Sequence, residues 1–198
     1  MPKSKLKKIE IFYHGKNIDL CILNNYIIKN SDWYKWFNNR KLTKYTEQGV
    51  FPNSLKKQLI FLRENIIKKK DIFKRVHDDK KIQLGIVKNR ELIGIISLYR
   101  FDYRNRCCEI SCVINHIGLK NSLIYFKEAQ DLMLKHAFNK MNFNRVQTTV
   151  YDKKLVELSV KLFNFKKEGT LRKRVFIDGN YLDAYMLGIL KKEFKSSI

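Results

Sequence analysis

The sequence predicts an α/β fold, a mixed and mostly antiparallel central sheet flanked by helices. Three observations predict it. Apolar residues alternate with polar or small ones between Lys81 and Ile114; helical spacing takes over from Ser122 to Phe138; and a strand, a short helix and a hairpin complete the chain. A meander followed by a strand–helix–strand crossover requires a sheet with both antiparallel and parallel neighbours.

Taken in order, Ile9–Tyr13 and Asn17–Leu23 are short apolar-rich segments separated by His14-Gly15-Lys16, and read as a first strand pair. Ser31 is positioned to cap a helix whose Trp33, Trp36 and Phe37 share one face. At that spacing they read as core rather than as an acceptor wall. Ser54 caps a second helix carrying Leu55, Leu59, Leu62 and Ile66. Ile82, Leu84 and Ile86 then alternate up to a tight turn at Asn89-Arg90-Glu91, and Leu92–Phe101 pairs back. A further strand spans Cys108–Ile114. The longest helix, Ser122–Phe138, turns Phe126, Ala129, Leu132, Met133, His136 and Ala137 inward. Arg145–Tyr151 is a strand and Leu155–Phe163 a helix. Phe165–Ile177 and Tyr181–Leu190 form a hairpin around Asp178-Gly179-Asn180.

With 198 residues, 44% of them hydrophobic, and no Pro/Gly/Ser-rich linker or internal repeat, the chain reads as a single domain over 1–198. No apolar run is long enough to span a bilayer. The basic start Met1–Lys8 lacks the apolar stretch of a secretory signal, so the expected location is the cytoplasm. Cys21, Cys107, Cys108 and Cys112 lack a zinc-ligand spacing, and no metal is expected. The net charge of +22 would attract a polyanion. However, lysine outnumbers arginine 31 to 10 and is scattered along the chain. Bidentate readout of phosphate or guanine favours arginine, so nucleic acid is not the expected partner.

Several phrases, in one order, carry a resemblance. These are Asp32-Trp33 through Trp36-Phe37-Asn38-Asn39; Leu92-Ile93-Gly94-Ile95-Ile96-Ser97-Leu98; Asn105-Arg106-Cys107-Cys108-Glu109-Ile110; and Glu128-Ala129 with His136-Ala137-Phe138. Asn144-Arg145-Val146 and Lys167-Glu168-Gly169-Thr170-Leu171-Arg172 follow, and then Gly179-x-Tyr181-x-Asp183 and Leu187-Gly188-Ile189-Leu190. From about residue 16 onward the chain resembles the GNAT superfamily of N-acetyltransferases, in the branch of the Rim-type protein, spermidine and amino-sugar-nucleotide acetyltransferases. The resemblance implies the GNAT fold with splayed fourth and fifth strands, acetyl-CoA as cosubstrate, and transfer to a primary amine of a small molecule or a protein. It leaves room for a homodimer. Thr46-Glu47-Gln48-Gly49-Val50-Phe51-Pro52 further resembles a segment of members that acetylate amino-sugar nucleotides for surface-polysaccharide synthesis.

The resemblance also implies a site. The fourth-strand end Cys112-Val113-Ile114 would pair with pantetheine amides, as in strand addition. The pyrophosphate would sit at the head of the long helix, on Gly118, Leu119, Lys120, Asn121 and Ser122, with Lys120 touching phosphate and Asn121 or Ser122 capping the helix. The segment Asn115–Leu123 keeps only Gly118 of the family's glycines and is about two residues longer. The alternative is a GNAT-fold module that binds without catalysing. The positions that usually hold Asn, Ser or Ala, and an acid tyrosine, hold Lys153, Val156 and Val160. Glu109 is the first candidate base, or else a structural carboxylate paired with Arg104 or Arg106. Glu47 is the second base candidate, or else a solvated loop acid. Ser111, on the same strand face as Glu109, is a hydrogen-bond donor to a reacting group or a buried strand serine. His116 reads as a binding or surface residue. A main-chain N–H near Val113 would serve as the oxyanion donor.

Overall fold

The computed structural model describes residues 5–44, 46, 50–64, 77–78, 81–115 and 120–196. The chain opens with strands β1 (Ile11–His14) and β2 (Asp19–Ile22). Four short helices follow: α1 (Asn25–Lys29), α2 (Trp33–Trp36), α3 (Arg40–Thr43) and α4 (Leu55–Leu62). Next come β3 (His77–Asp78), β4 (Ile82–Lys88), β5 (Glu91–Asp102) and β6 (Cys107–Ile114). The long helix α5 (Ser122–Lys135) runs on as a π-turn over His136–Lys140, and β7 (Arg145–Val150), α6 (Lys153–Phe163), β8 (Lys166–Ile177) and β9 (Asn180–Leu190) complete the order. The strands lie in the order β1-β2-β4-β5-β6-β7-β9-β8, with β3 on β5. Among the described residues, only β6 and β7 pair in parallel. This is the predicted mixed sheet.

Local chemistry explains most of the boundaries. Asn89 and Arg90 both adopt left-handed φ, at 49° and 63°, which gives the two-residue hairpin turn between β4 and β5. Asp178 and Gly179 do the same between β8 and β9, at 46° and 84°. Asn24, Ser54 and Asp152 each cap a helix through a side-chain oxygen. Ser31 does not. Asp32 occupies the N-cap of α2 without a side-chain capping bond, and the Ser31 hydroxyl is buried with no partner among the described residues. The sequence reading also omits α1, α3 and β3, whose lengths of five, four and two residues are too short for a periodic signal. Helix α4 is α-helical only to Leu62, and Ile66 lies outside the described residues.

Two apolar clusters sandwich the sheet. On one face Cys108, Ile110 and Ile114 of β6 and Ile96 and Leu98 of β5 pack with Ala129, Leu132, Met133 and Phe138. On the other, Trp33, Trp36, Ile27, Ile28 and Leu62 cover Leu92 and Ile95, with Phe37 packed against them. The aromatics of α2 are therefore core, as their spacing implies. Glu128, 5% exposed, ties α5 to the β1–β2 turn. Its carboxylate accepts from the Asn17 N–H at 2.8 Å and the Asn17 side-chain amide at 2.8 Å. A side chain on Gly15 would collide with that carboxylate. All four cysteines are free thiols.

Candidate active site

The parallel pairing of β6 with β7 stops early. Its register runs Cys107↔Arg145, Cys108↔Val146 and Glu109↔Gln147, and no further. Beyond that point β6 stays with β5 as far as Gly94↔Ile114, while β7 stays with β9 as far as Val150↔Tyr185. The two strands thus part just past Glu109. Residues Ile110–Ile114 of β6 have a strand on one side and, among the described residues, none on the other. Unpaired main-chain N–H and C=O groups along such an edge favour an extended ligand that completes the ladder.

The helices that leave the two parted strands flank the gap. Helix α5 starts with exposed Leu123 and Ile124, and α6 carries exposed Leu155 and Val160. Asn121 sits at the N-cap of α5 in a left-handed conformation, φ 61°, and makes no side-chain capping bond. The expected side-chain capping by Asn121 is therefore corrected: its carbonyl accepts from the Ile124 N–H, its side chain makes no capping bond, and Ser122 is already the first helical residue. Among the described residues, the first-turn amides of α5 have no side-chain cap and no acidic neighbour in the turn, a polarity that suits an anion. Lys120 is exposed immediately before them. Gly118, Leu119 and His116 lie outside the described residues, as does Glu47.

The face of the sheet beneath α4 is polar where the strands part. Strand register aligns Tyr99↔Glu109↔Gln147 in one row and Gln83↔Ser97↔Ser111 in the next. Glu109, its side chain 13% exposed, accepts from Arg100 Nη1 at 3.1 Å on both oxygens and from the Gln147 amide at 3.4 Å. The partner expected from the sequence was Arg104 or Arg106. Arg100 takes the place because its φ of 51° forms a bulge between Tyr99 and Asp102 that swings the side chain back over the strand. Burial first, and then the negative charge of Glu109 with a hydrogen bond to it, hold the Tyr99 hydroxyl firmly protonated. Tyr151, directly after β7, is close enough to act on Tyr99 in the same direction.

In the second row, Gln83 is 6% exposed and Ser97 2% exposed, and the Gln83 amide donates to Ser97 Oγ at 2.9 Å. The Gln83 carbonyl oxygen is buried and has no partner among the described residues. Such an oxygen costs free energy unless a ligand donor reaches it. Ser111 ends this row, half-buried at the opening. Arg40 reaches Asp178 at 3.0 Å and holds the tip of the β8–β9 hairpin against α3, the helix before the residue 46–52 segment. The structure thus brings Glu109 and Ser111 together on one face with the β6 edge, and adds Tyr99, Arg100, Gln147, Gln83 and Tyr151. None of the five additions shows in the sequence pattern, because cross-strand register and a left-handed arginine leave no periodic trace.

Comparison with known proteins decides the family. The acetyltransferase (GNAT) domain model matches residues 24–154. The chain belongs to the GNAT acetyltransferase family. It is similar to the uncharacterized N-acetyltransferase p20 of Bacillus licheniformis, with 31% identity over 109 residues, 52% of this chain and 58% of that protein. It therefore spans little more than half the length of that relative. The spermidine N-acetyltransferase of Vibrio cholerae, solved with CoA and spermine, shares the GNAT fold at a TM-score of 0.74 and 19% identity, over 90% of this chain and 98% of that one. RimL, a ribosomal L7/L12 alpha-N-protein acetyltransferase solved with coenzyme A, matches at a TM-score of 0.74 and 14% identity, over 91% and 98%. Among the described residues there is no helix long and apolar enough to cross a membrane, and no group of three or more His, Cys, Asp or Glu able to hold a metal.

Proposed function

We propose that the protein transfers an acetyl group from acetyl-CoA to a primary amine within a ternary complex. The observation that carries this reading is the parting of β6 from β7 immediately beyond Glu109, with a polar sheet face at the opening and uncapped amides at the head of α5. Pantetheine would add to the free edge at Cys112, Val113 and Ile114. The diphosphate would lie at Lys120, Asn121 and Ser122, continuing over Gly118 and Leu119.

The chemistry follows from the residues. The attacking amine must be neutral, and Glu109 accepts its proton. Attack forms the N–C bond and develops charge on the carbonyl oxygen, which a main-chain N–H near Val113 stabilises. The C–S bond then breaks. A thiol titrates near ~8.5, so the CoA thiolate leaves without the tyrosine that Val160 replaces. Ser111 lies one polar row along, positioned to hydrogen-bond the reacting group. Glu47 is the second candidate base.

The acceptor we favour is an amino-sugar nucleotide, on the Thr46–Pro52 resemblance and on charge. A diphosphate is attracted by a chain of net charge +22, whereas a polyamine is repelled. A protein N-terminal amine is the second acceptor, favoured by the likeness to RimL. A thiol-release assay with acetyl-CoA across these three acceptor classes tests the reading. Turnover on the sugar nucleotide is expected. Tight CoA binding without release on any acceptor would reduce the protein to a binding module.

A further inference from the structure

Four of the phrases that carry the sequence resemblance meet on one face of the sheet, through Glu109, Arg145, Glu168 and Gly188, and the site described above uses only Glu109. Glu168 of β8 and Arg145 of β7 have β9 between them. They pair across it all the same. Arg145 Nη1 donates to Glu168 Oε1 at 2.6 Å, and Nη2 donates to Oε2. The crossing passes over Gly188, where a Cβ would come within 2.6 Å of both Arg145 Nη2 and Glu168 Oε1. Glycine keeps that path open. The remaining guanidinium nitrogen, Nε, donates to Gln147 Oε1 at 3.3 Å, two residues along the same strand face. Gln147 Nε2 in turn donates to Glu109 Oε1 at 3.4 Å, across the last pair of the β6–β7 ladder. Arg100 closes the far end, 3.1 Å from both oxygens of Glu109. A continuous hydrogen-bonded chain therefore runs from β8 to β5 through the carboxylate at the point where the strands part.

The two ends of a glutamine amide are nearly alike in shape, but the oxygen accepts and the nitrogen donates. Packing alone does not choose between them. Arg145 Nε can only donate, so it takes the oxygen and turns the nitrogen towards Glu109, whose ionised carboxylate only accepts. The reverse orientation would set oxygen against oxygen and leave both neighbours unmatched. From this geometry we propose that Gln147 is a positioning residue for Glu109, aimed by the Arg145–Glu168 pair that spans Gly188. The inference rests on the acetyl-transfer reading, in which Glu109 accepts the proton of the attacking amine. A carboxylate held from β7 by Gln147 and from β5 by Arg100 keeps one orientation, and proton transfer to a base depends on that geometry. Gly188 and Glu168, one and two strands beyond β7, thus influence turnover without touching a reacting group.

The test is a double-mutant cycle on kcat, read by thiol release from acetyl-CoA with UDP-glucosamine, spermidine and a free peptide N-terminus as acceptors. Gln147→Met keeps the length of the side chain and loses the amide. It should lower kcat about tenfold with KM for acetyl-CoA unchanged, the weight of one hydrogen bond to a charged group. In the Glu109→Gln background the same substitution should change nothing further. Gly188→Ala forces the ion pair off its path and should lower kcat about threefold alone, but not in the Gln147→Met background. The nitrogen–proton resonance of the Gln147 side-chain amide, identified by its loss in Gln147→Met, should move in both Glu109→Gln and Gly188→Ala, with urea titration confirming that each variant is folded. Losses that multiply independently, in Gln147→Met combined with either other substitution, overturn the inference while the acetyl-transfer reading stands. So does an amide resonance that ignores Gly188→Ala. If no acceptor releases thiol, the reading and the inference fall together. If Glu109→Gln keeps the full rate, the assignment of the base fails and the inference with it.

Discussion

Neighbouring residues of β6 serve opposite faces of the sheet, and along this strand the two faces differ in kind. Cys108, Ile110 and Ile114 lie on α5 among Ala129, Leu132 and Met133, in an apolar core. Glu109 and Ser111 lie on the other side, in rows with Tyr99, Gln147, Ser97 and Gln83. Burying polar side chains beneath α4 is costly unless they are satisfied or used. The difference separates residues packed wholly in an apolar core from a polar strip, the one that the proposed acetyl transfer would use.

Substitutions at adjacent positions break this comparison most sharply. Ile110→Ala should lower stability by about 3 kcal/mol, measured by urea denaturation, because Ile110 is fully buried against α5. Glu109→Gln should lower turnover about 100-fold with acetyl-CoA affinity unchanged. Its stability should shift by less than ~1 kcal/mol, since the Arg100 partner is largely exposed. Glu128→Gln probes the apolar face, where an amide replaces a buried carboxylate that accepts several N–H groups. A loss of about 2 kcal/mol is expected, with kcat intact in the folded fraction. Ser111→Ala should slow turnover only about threefold, the size of one hydrogen bond, and leave the urea midpoint in place.

The smallest effect is one of pH. The hydrogen bond from Arg145 holds the Glu168 carboxyl below the usual carboxylate range. Its contribution is therefore complete above the unfolded value of about 4.3 and is lost as pH falls through the lower folded one. Because the pair is partly exposed, Glu168→Gln should cost less than ~1 kcal/mol at pH 7 and flatten the acid limb of a stability–pH curve.

How much of this could be read in advance follows from the range of each signal. The alternation of Ile82, Leu84 and Ile86, the Asn89-Arg90 turn and the α5 stripe are local, and they place the sheet and the long helix correctly. Glu109 and Ser111 are two residues apart on one strand, so their shared face was legible too. Gln83, Ser97, Tyr99 and Gln147 join them only through strand register, which no single segment encodes. Arg100 was missed for a different reason. Sequence proximity favoured Arg104 and Arg106, but a left-handed residue at a bulge sent a more distant guanidinium to the carboxylate.

The central claim is that the free edge of β6 receives the cosubstrate. Amide hydrogen exchange across Ile110–Ile114, with and without saturating acetyl-CoA, tests it most directly. Slower exchange confined to that edge and to the first turn of α5, together with one-to-one saturable binding, is the predicted result. Unchanged exchange at both places in the presence of acetyl-CoA would contradict it.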